Sequence, residues 1–376
     1  MIRKLLKIIL KTVLTLVLLV IVLLLSLNVT APFLKHVSTA NDYSDWMGET
    51  LADSARIIDV AMLGAHDAFT ANINIFSAID EASADSIQTG LTGQLIKGFS
   101  VKQSRTQVSD ATTLFEAGVR YFDIRLTYNE SEEAWYTTHT YFSEPFLDVL
   151  MQINDFLDAH PTEFVLLDIQ HVNGVDLEDA TAMTDAYDEI KALFIESGVE
   201  EHCYKADQLP LSQITYGDIT VNQTQGGCLA MTKLLSPDAL FFDYGASVRS
   251  AWPNTDDTET ALAFLETEAM TIALAAAMTG NQMSENPLAV DSLGAFRIMQ
   301  AVLTMQMNVD GILQAIGEWT LLNRAVSFNA ALLESPHFEA WLIAMPVVMV
   351  DYANGNQADW NDRVMTILLE FNQNLT

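Results

Sequence analysis

Short apolar runs alternate with helical segments along most of this chain, and each run ends on polar side chains. RIIDVAML (56–63), YFDIRL (121–126) and FVLLDIQ (164–170) read as buried strands. CLAMTKL (228–234), residues 296–305 and PVVMVDY (346–352) extend the series. Between the second and third runs, Phe146, Leu150, Ile153 and Leu157 recur at helical spacing. Ser143 and Pro145 suit the start of that helix, and His160-Pro161 suits its end. Met183, Tyr187, Ile190 and Phe194 mark a helix over 176–197, with Gly198 placed to cap it. An Ala-rich helix over 258–279 stops at Gly280. Alternation of this kind, with no internal repeat, predicts an α/β fold: a distorted (β/α)8 TIM-type barrel in a single domain. A doubly wound sheet would place a glycine-rich dinucleotide turn after the first strand, and none is present.

The N-terminus is a separate object. Of 18 basic and 49 acidic residues, residues 1–37 hold five basic ones (Arg3, Lys4, Lys7, Lys11 and Lys35) and no acid, leaving 13 against 49 in the remainder. Residues 12–29 carry no charge and are mostly Leu and Val. As a helix this run spans roughly 27 Å, the thickness of a bilayer core. With no polar face, it does not suit a core helix of a soluble domain. It fits a signal anchor or transmembrane segment, or a signal peptide cleaved near Val29-Thr30-Ala31. The basic residues ahead of it would stay in the cytoplasm, so the rest would be extracytoplasmic: membrane-anchored if the segment is kept, secreted if it is removed. The expected organisation is a segment 1–31, a polar stalk 32–55 and a barrel 56–376.

A formal charge of −31 excludes the basic face that nucleic-acid binding needs. Two cysteines, Cys203 and Cys228, exclude a four-cysteine zinc site and a disulfide-dense scaffold. The two could pair outside the cytoplasm, but sequence does not fix their distance.

In a parallel barrel, working side chains sit at the C-terminal ends of strands. Here those are His66-Asp67, Asp123 with Arg125, Asp168 with Gln170 and His171, and Asp351-Tyr352; His139 follows the second strand after a short excursion. Singly, each has a plain structural reading: a satisfied histidine, a buried ion pair, a loop cap. Together, two histidines, an arginine and partner carboxylates suit phosphodiester transfer. One imidazole takes a proton from the nucleophile and the other protonates the leaving oxygen. The guanidinium neutralises charge on the phosphate.

The pieces also carry a resemblance. Leu63-Gly64-Ala65-His66-Asp67-Ala68, Thr106-Gln107, Gly118-Val119-Arg120-Tyr121-Phe122-Asp123-Ile124-Arg125, His139 and Pro161-Thr162-Glu163-Phe164-Val165-Leu166-Leu167-Asp168 resemble, in order, the X-domain blocks of the phosphatidylinositol-specific phospholipase C-like phosphodiesterases. Trp252-Pro253-Asn254 and Val348-Met349-Val350-Asp351-Tyr352 add a shorter match. The resemblance implies His66 as general base, oriented by Asp351, and His139 as general acid, partnered by Asp67. It implies Arg125 as the phosphate contact of the metal-independent bacterial branch, with no metal and no cofactor. Lys233 stands where it could touch inositol or phosphate. Asp168 or Gln170 falls where the bacterial branch often has a lysine, so headgroup contacts there would differ. The implied partner is a phosphatidylinositol-type lipid in a membrane. The rival readings are a metal-dependent glycerophosphodiesterase or sphingomyelinase D-like enzyme, and a catalytically silent lipid-binding barrel.

Overall fold

Strands that are apolar along their whole length must be covered on both faces, which is the condition of a parallel sheet wrapped by helices. The computed structural model describes residues 2–29, 41–234, 238–278, 294–306, 308–318, 320–355 and 359–375. Its strands are β1 (Met62–Ala65), β2 (Val119–Asn129), β3 (Ala134–His139), β4 (Tyr141–Pro145), β5 (Phe164–Asn173), β6 (Gly227–Thr232), β7 (Phe242–Asp243), β8 (Val248–Ala251), β9 (Phe296–Ala301) and β10 (Val347–Val350).

Eight of them form one curled parallel sheet in the order β7-β6-β5-β2-β1-β10-β9-β8. This is chain order around a barrel. The seam where the chain's first and last strands meet is closed by β1 on β10, with Met62 opposite Val347 and Ala65 opposite Val350. Among the described residues no ladder joins β7 to β8. The cause is local: only the short helix Tyr244–Ser247 separates them, and a parallel pair needs a crossover of a dozen or more residues. The (β/α)8 TIM-type barrel is therefore distorted by a gap at that point.

Several elements differ in extent from the sequence reading. The first strand begins only at Met62, because Ile57–Asp59 forms a 3-10 turn and Arg56 bridges to Thr215. Ile57 and Ile58 are fully buried below it. β6, β9 and β10 are shorter than the apolar runs that signalled them. β7 and β8 had no clear signal at all. The helix Phe146–Ala159 buries Phe146, Leu150, Ile153 and Leu157 as the periodicity predicts. The helix Ala180–Ser197 starts where Asp179 accepts bonds from the amides of Thr181 and Ala182, and ends at Gly198 with φ of 87°. The helix Thr258–Met278 buries Ala261, Leu265, Ala269 and Ile272. It is long and apolar enough to cross a membrane by composition, but it serves as the connection between β8 and β9. The stop expected at Gly280 lies outside the described residues.

At the N-terminus, Ile2–Val29 is one helix of 28 residues, with side chains such as Leu10, Leu14 and Leu18 exposed. Residues 41–55, read as the end of a stalk, instead pack under the barrel. Trp46 and Met47 are buried, and Trp46 Nε1 donates to the Gly118 carbonyl (3.2 Å). Buried Arg120 ties them down: it pairs with Glu163 (2.8 Å) and donates to the carbonyls of Tyr43 (3.0 Å) and Ser44 (2.8 Å). Glu163 in turn accepts from the Met47 amide (3.0 Å).

Candidate active site

The strand ends at the top of the barrel open into a cavity of about 590 Å³. It is lined by His66, Asp67, Asp123, Arg125, His139, Gln170, His171, Lys233, Tyr244, Trp252 and Asp351, among others. Most of the residues predicted from strand-end position thus converge on one cleft; Asp168 and Tyr352 do not line it.

His66 sits one residue beyond β1, its amide held by the Val350 carbonyl (3.1 Å). Its Nδ1 lies 2.7 Å from Oδ1 of Asp351, the residue after β10. That leaves Nε2 facing the cleft, 3.5 Å from Nη2 of Arg125. Gln107 clamps the two strand ends together: its Nε2 donates to the carbonyls of His66 (3.0 Å) and Val350 (3.1 Å), and its Oε1 accepts from the Ala353 amide (3.0 Å).

Asp67 is the centre of the constellation. Its backbone is left-handed, with φ of 40°, a strained position for a residue with a side chain. The turn aims its buried carboxylate at three cations or near-cations. Oδ1 pairs with Nε of Arg125, and Oδ2 lies 3.3 Å from Nδ1 of His139 and 3.6 Å from Nε2 of His66. Its amide donates to Asp123 (3.2 Å).

His139 returns to the cleft because β2 overshoots the barrel and folds back as the β3–β4 hairpin, with Leu126 opposite Thr137. Its Nδ1 donates to the Ser104 carbonyl (2.8 Å), which sets the tautomer that leaves Nε2 for substrate.

The electrostatics separate the two imidazoles. Burial alone would push His66 down, but the carboxylates of Asp67, Asp351 and Asp123 outweigh it and hold its pKa at about 9. Burial pushes His139 below its ordinary value, a shift that Asp67 opposes and Arg125 reinforces. Burial would raise Asp67, yet Arg125, His139 and His66 keep its carboxyl well below the usual range. Two groups whose environments drive their pKa values apart are the pattern of an acid–base pair.

Of the residues expected to touch substrate, Lys233 and Gln170 line the cavity, with the Lys233 ammonium 4.8 Å from the centre of the Tyr244 ring. Asp168 does not reach it. Fully buried beneath the floor, it accepts from the Tyr121 hydroxyl and from Gln170 (3.4 Å). Burial and nearby Asp123 raise its pKa well above the ordinary value.

His171 is the residue the sequence reading left without a role. The ladder between β2 and β5 slips between Asp123 and Arg125, so that Arg125 pairs with His171 rather than Gln170. The slip brings the His171 side chain onto the cavity wall. Burial, with Arg125 beside it, lowers its pKa to about 4. A bulge has no sequence signal in a run this apolar.

A metal could in principle use His66, Asp67 and Asp123, whose ligand atoms lie within 4.8 Å of one another. The guanidinium of Arg125 already stands among them, paired to Asp67 and close to His66. That donor set is better matched to a bound cationic side chain than to a divalent ion.

No protein-family model matches the chain. Among curated proteins, it is 31% identical over 140 residues to PI-PLC X domain-containing protein 3 of Danio rerio, covering 35% of this chain and 43% of that one. It is 33% identical over 159 residues to the variant-surface-glycoprotein phospholipase C of Trypanosoma brucei brucei, covering 39% and 44%. The chain resembles the PI-PLC X-domain proteins. The match spans less than half the length of these curated relatives. Solved structures extend the likeness in fold. A phosphatidylinositol-specific phospholipase C from Staphylococcus aureus superposes with a TM-score of 0.55 at 13% identity, covering 87% of this chain and 97% of that one. The enzyme of the same name from Listeria monocytogenes gives 0.54 at 14% identity, covering 88% and 98%. In this X-domain-like barrel, the cleft with His66 and His139 occupies the end where such a fold carries its chemistry.

Proposed function

We propose that the protein is a phosphoric diester hydrolase or lyase that cleaves a phosphatidylinositol-type lipid. The observation that carries this reading is the pair of imidazoles sharing Asp67, with Arg125 between them. The names of the curated relatives and of the solved neighbours support the substrate class. The phosphodiester lies against Arg125, whose planar fork matches two phosphate oxygens. His66 Nε2 takes the proton of the inositol 2-hydroxyl as that oxygen attacks phosphorus. The bond from phosphorus to the diacylglycerol oxygen breaks, and His139 gives that oxygen a proton. The products are a cyclic inositol phosphate and diacylglycerol. Asp351 steadies the imidazolium that forms on His66.

In the free site the resident proton belongs on His66, which is raised, and not on His139, which is lowered. The reactive arrangement is the reverse. A bound phosphodiester anion favours it, because the negative charge beside His139 stabilises that imidazolium.

The helix Ile2–Val29 is read as the anchor, with the barrel extracytoplasmic, or secreted if the segment is removed. Tethering concentrates the barrel at lipid and offsets the repulsion of an acidic domain by anionic membrane. The metal-dependent alternative draws on the His66, Asp67 and Asp123 trio alone, and Arg125 opposes it. The test is to incubate the full chain with phosphatidylinositol in mixed micelles and follow phosphorus by NMR. A cyclic phosphodiester appearing with diacylglycerol supports the reading. Release of free phosphatidic acid, or no turnover of this lipid, overturns it.

A further inference from the structure

We propose that Asp80, outside the cleft, is a positioning residue that holds His139 in place for proton transfer. Asp80 is almost fully buried (1% exposed), yet among the described residues no cation pairs with it. Its carboxylate is satisfied by neutral donors instead. Oδ2 accepts from the hydroxyls of Ser83 (2.6 Å), Thr127 (2.7 Å) and Thr138 (2.9 Å) and, more loosely, from Asn173 Nδ2 (3.5 Å). Oδ1 accepts from the Ala82 amide (3.0 Å). One carboxylate therefore ties together β2, β3, β5 and the segment after β1.

The two residues flanking His139 are both held by Asp80. The Thr138 hydroxyl donates to its side chain, and the Asp80 amide donates to the Thr140 carbonyl (2.9 Å). A further bond, from the Phe142 amide to the Ala78 carbonyl (3.0 Å), continues this short pairing. Thr140 needs such support. Its φ is 67°, a left-handed conformation that is costly for a β-branched residue and persists only where its surroundings impose it. Relaxing that turn would swing the end of β3 and with it the imidazole. A buried carboxylate met by several hydrogen bonds is a rigid fixture, because each bond fixes its orientation and that of its partner. Asp80 thus acts on the reaction through His139 and touches no reacting atom.

The kinetic part of the test rests on the phosphodiesterase reading; the spectroscopic part does not. The full chain in micelles, labelled at its seven histidines, is compared as wild type, Asp80→Ala and Asp80→Asn. The proposal expects the ring nitrogen signals of His139 to shift in Asp80→Ala while those of His66 stay in place. It also expects turnover of phosphatidylinositol to fall about tenfold or more, the scale of a displaced catalytic group. The loss should be much smaller with a nitrophenyl ester of inositol phosphate, whose leaving group needs little proton donation. Asp80→Asn, which keeps an acceptor oxygen, should recover part of the activity. If Asp80→Ala does not fold, Thr138→Val removes a single hydroxyl from the same network and should show the same two signatures in milder form. Unchanged His139 signals would overturn the proposal. So would an equal loss on both substrates in step with the folded fraction. If the wild type cleaves neither ester, the phosphodiesterase reading fails, and the His139 signals alone decide whether Asp80 sets that ring.

Discussion

Nδ1 of His66 lies 2.7 Å from Oδ1 of Asp351, joining the ends of β1 and β10 across 285 residues of chain. The contact can exist only because those strands pair to close the barrel seam, so fold and site share one geometric cause. It also orients the ring, leaving Nε2 for the cleft.

This pair makes a prediction about pH. With His66 held at about 9, kcat/KM should stay level through neutral pH and fall above about 9, as the single proton shared by the two imidazoles is lost. Asp351→Asn removes one carboxylate that raises His66. The basic limb should then move to lower pH, and turnover should drop by about 10²-fold. A pH profile of both proteins on one substrate checks the shift and its sign.

Arg125 makes the second. Arg125→Lys keeps the charge but loses the planar two-donor contact, so turnover should fall about 10²-fold or more. Activity of the wild type should survive EDTA. Loss in chelator, restored by calcium or magnesium, would favour the metal-dependent alternative.

A third concerns Glu144, which forms no ion pair among the described residues. Burial, with Asp110 and Asp148 nearby, raises its pKa to about 7. Between its ordinary 4.5 and that value, the unfolded chain ionises while the folded one holds its proton, so stability falls as pH rises. Above pH 7 the full penalty, on the order of 3 kcal/mol, is present. Glu144→Gln should raise the melting temperature at pH 8 by roughly 2–4 °C or more. It should change it little at pH 4.5.

The fourth tests the barrel floor. Arg120→Met leaves Glu163 buried without its cation and should cost about 3–5 kcal/mol. Adding Glu163→Leu should recover much of that in thermal melts, because the uncompensated charge is then gone.

Much of this architecture can be read from residues alone, and the reasons are physical. Parallel strands buried on both faces give continuous apolar runs, and the polar residues ending them mark the top of the barrel. That is why His66, Arg125, His139 and Asp351 could be named. What could not be read depends on long-range register or on backbone. β7 is two residues long, too short for a pattern. The slip that turns His171 into the cleft lies inside an ordinary apolar strand. The Ser104 carbonyl that fixes the His139 tautomer has no side-chain signature. Asp168 misled because its strand-end position suggests the cleft, whereas the Tyr121 hydroxyl holds it under the floor.

The central claim is that His66 and His139 divide the roles of base and acid. Turnover and melting temperature should be measured together for wild type, His66→Ala and His139→Ala, on phosphatidylinositol and on a nitrophenyl ester of inositol phosphate. Both variants should lose about 10²-fold or more on the lipid while remaining folded. On the nitrophenyl ester, His139→Ala should regain most of its loss, because nitrophenolate departs without a proton, whereas His66→Ala should not. Equal behaviour of the two variants on both substrates, or activity that falls only as far as the folded fraction falls, would contradict the account.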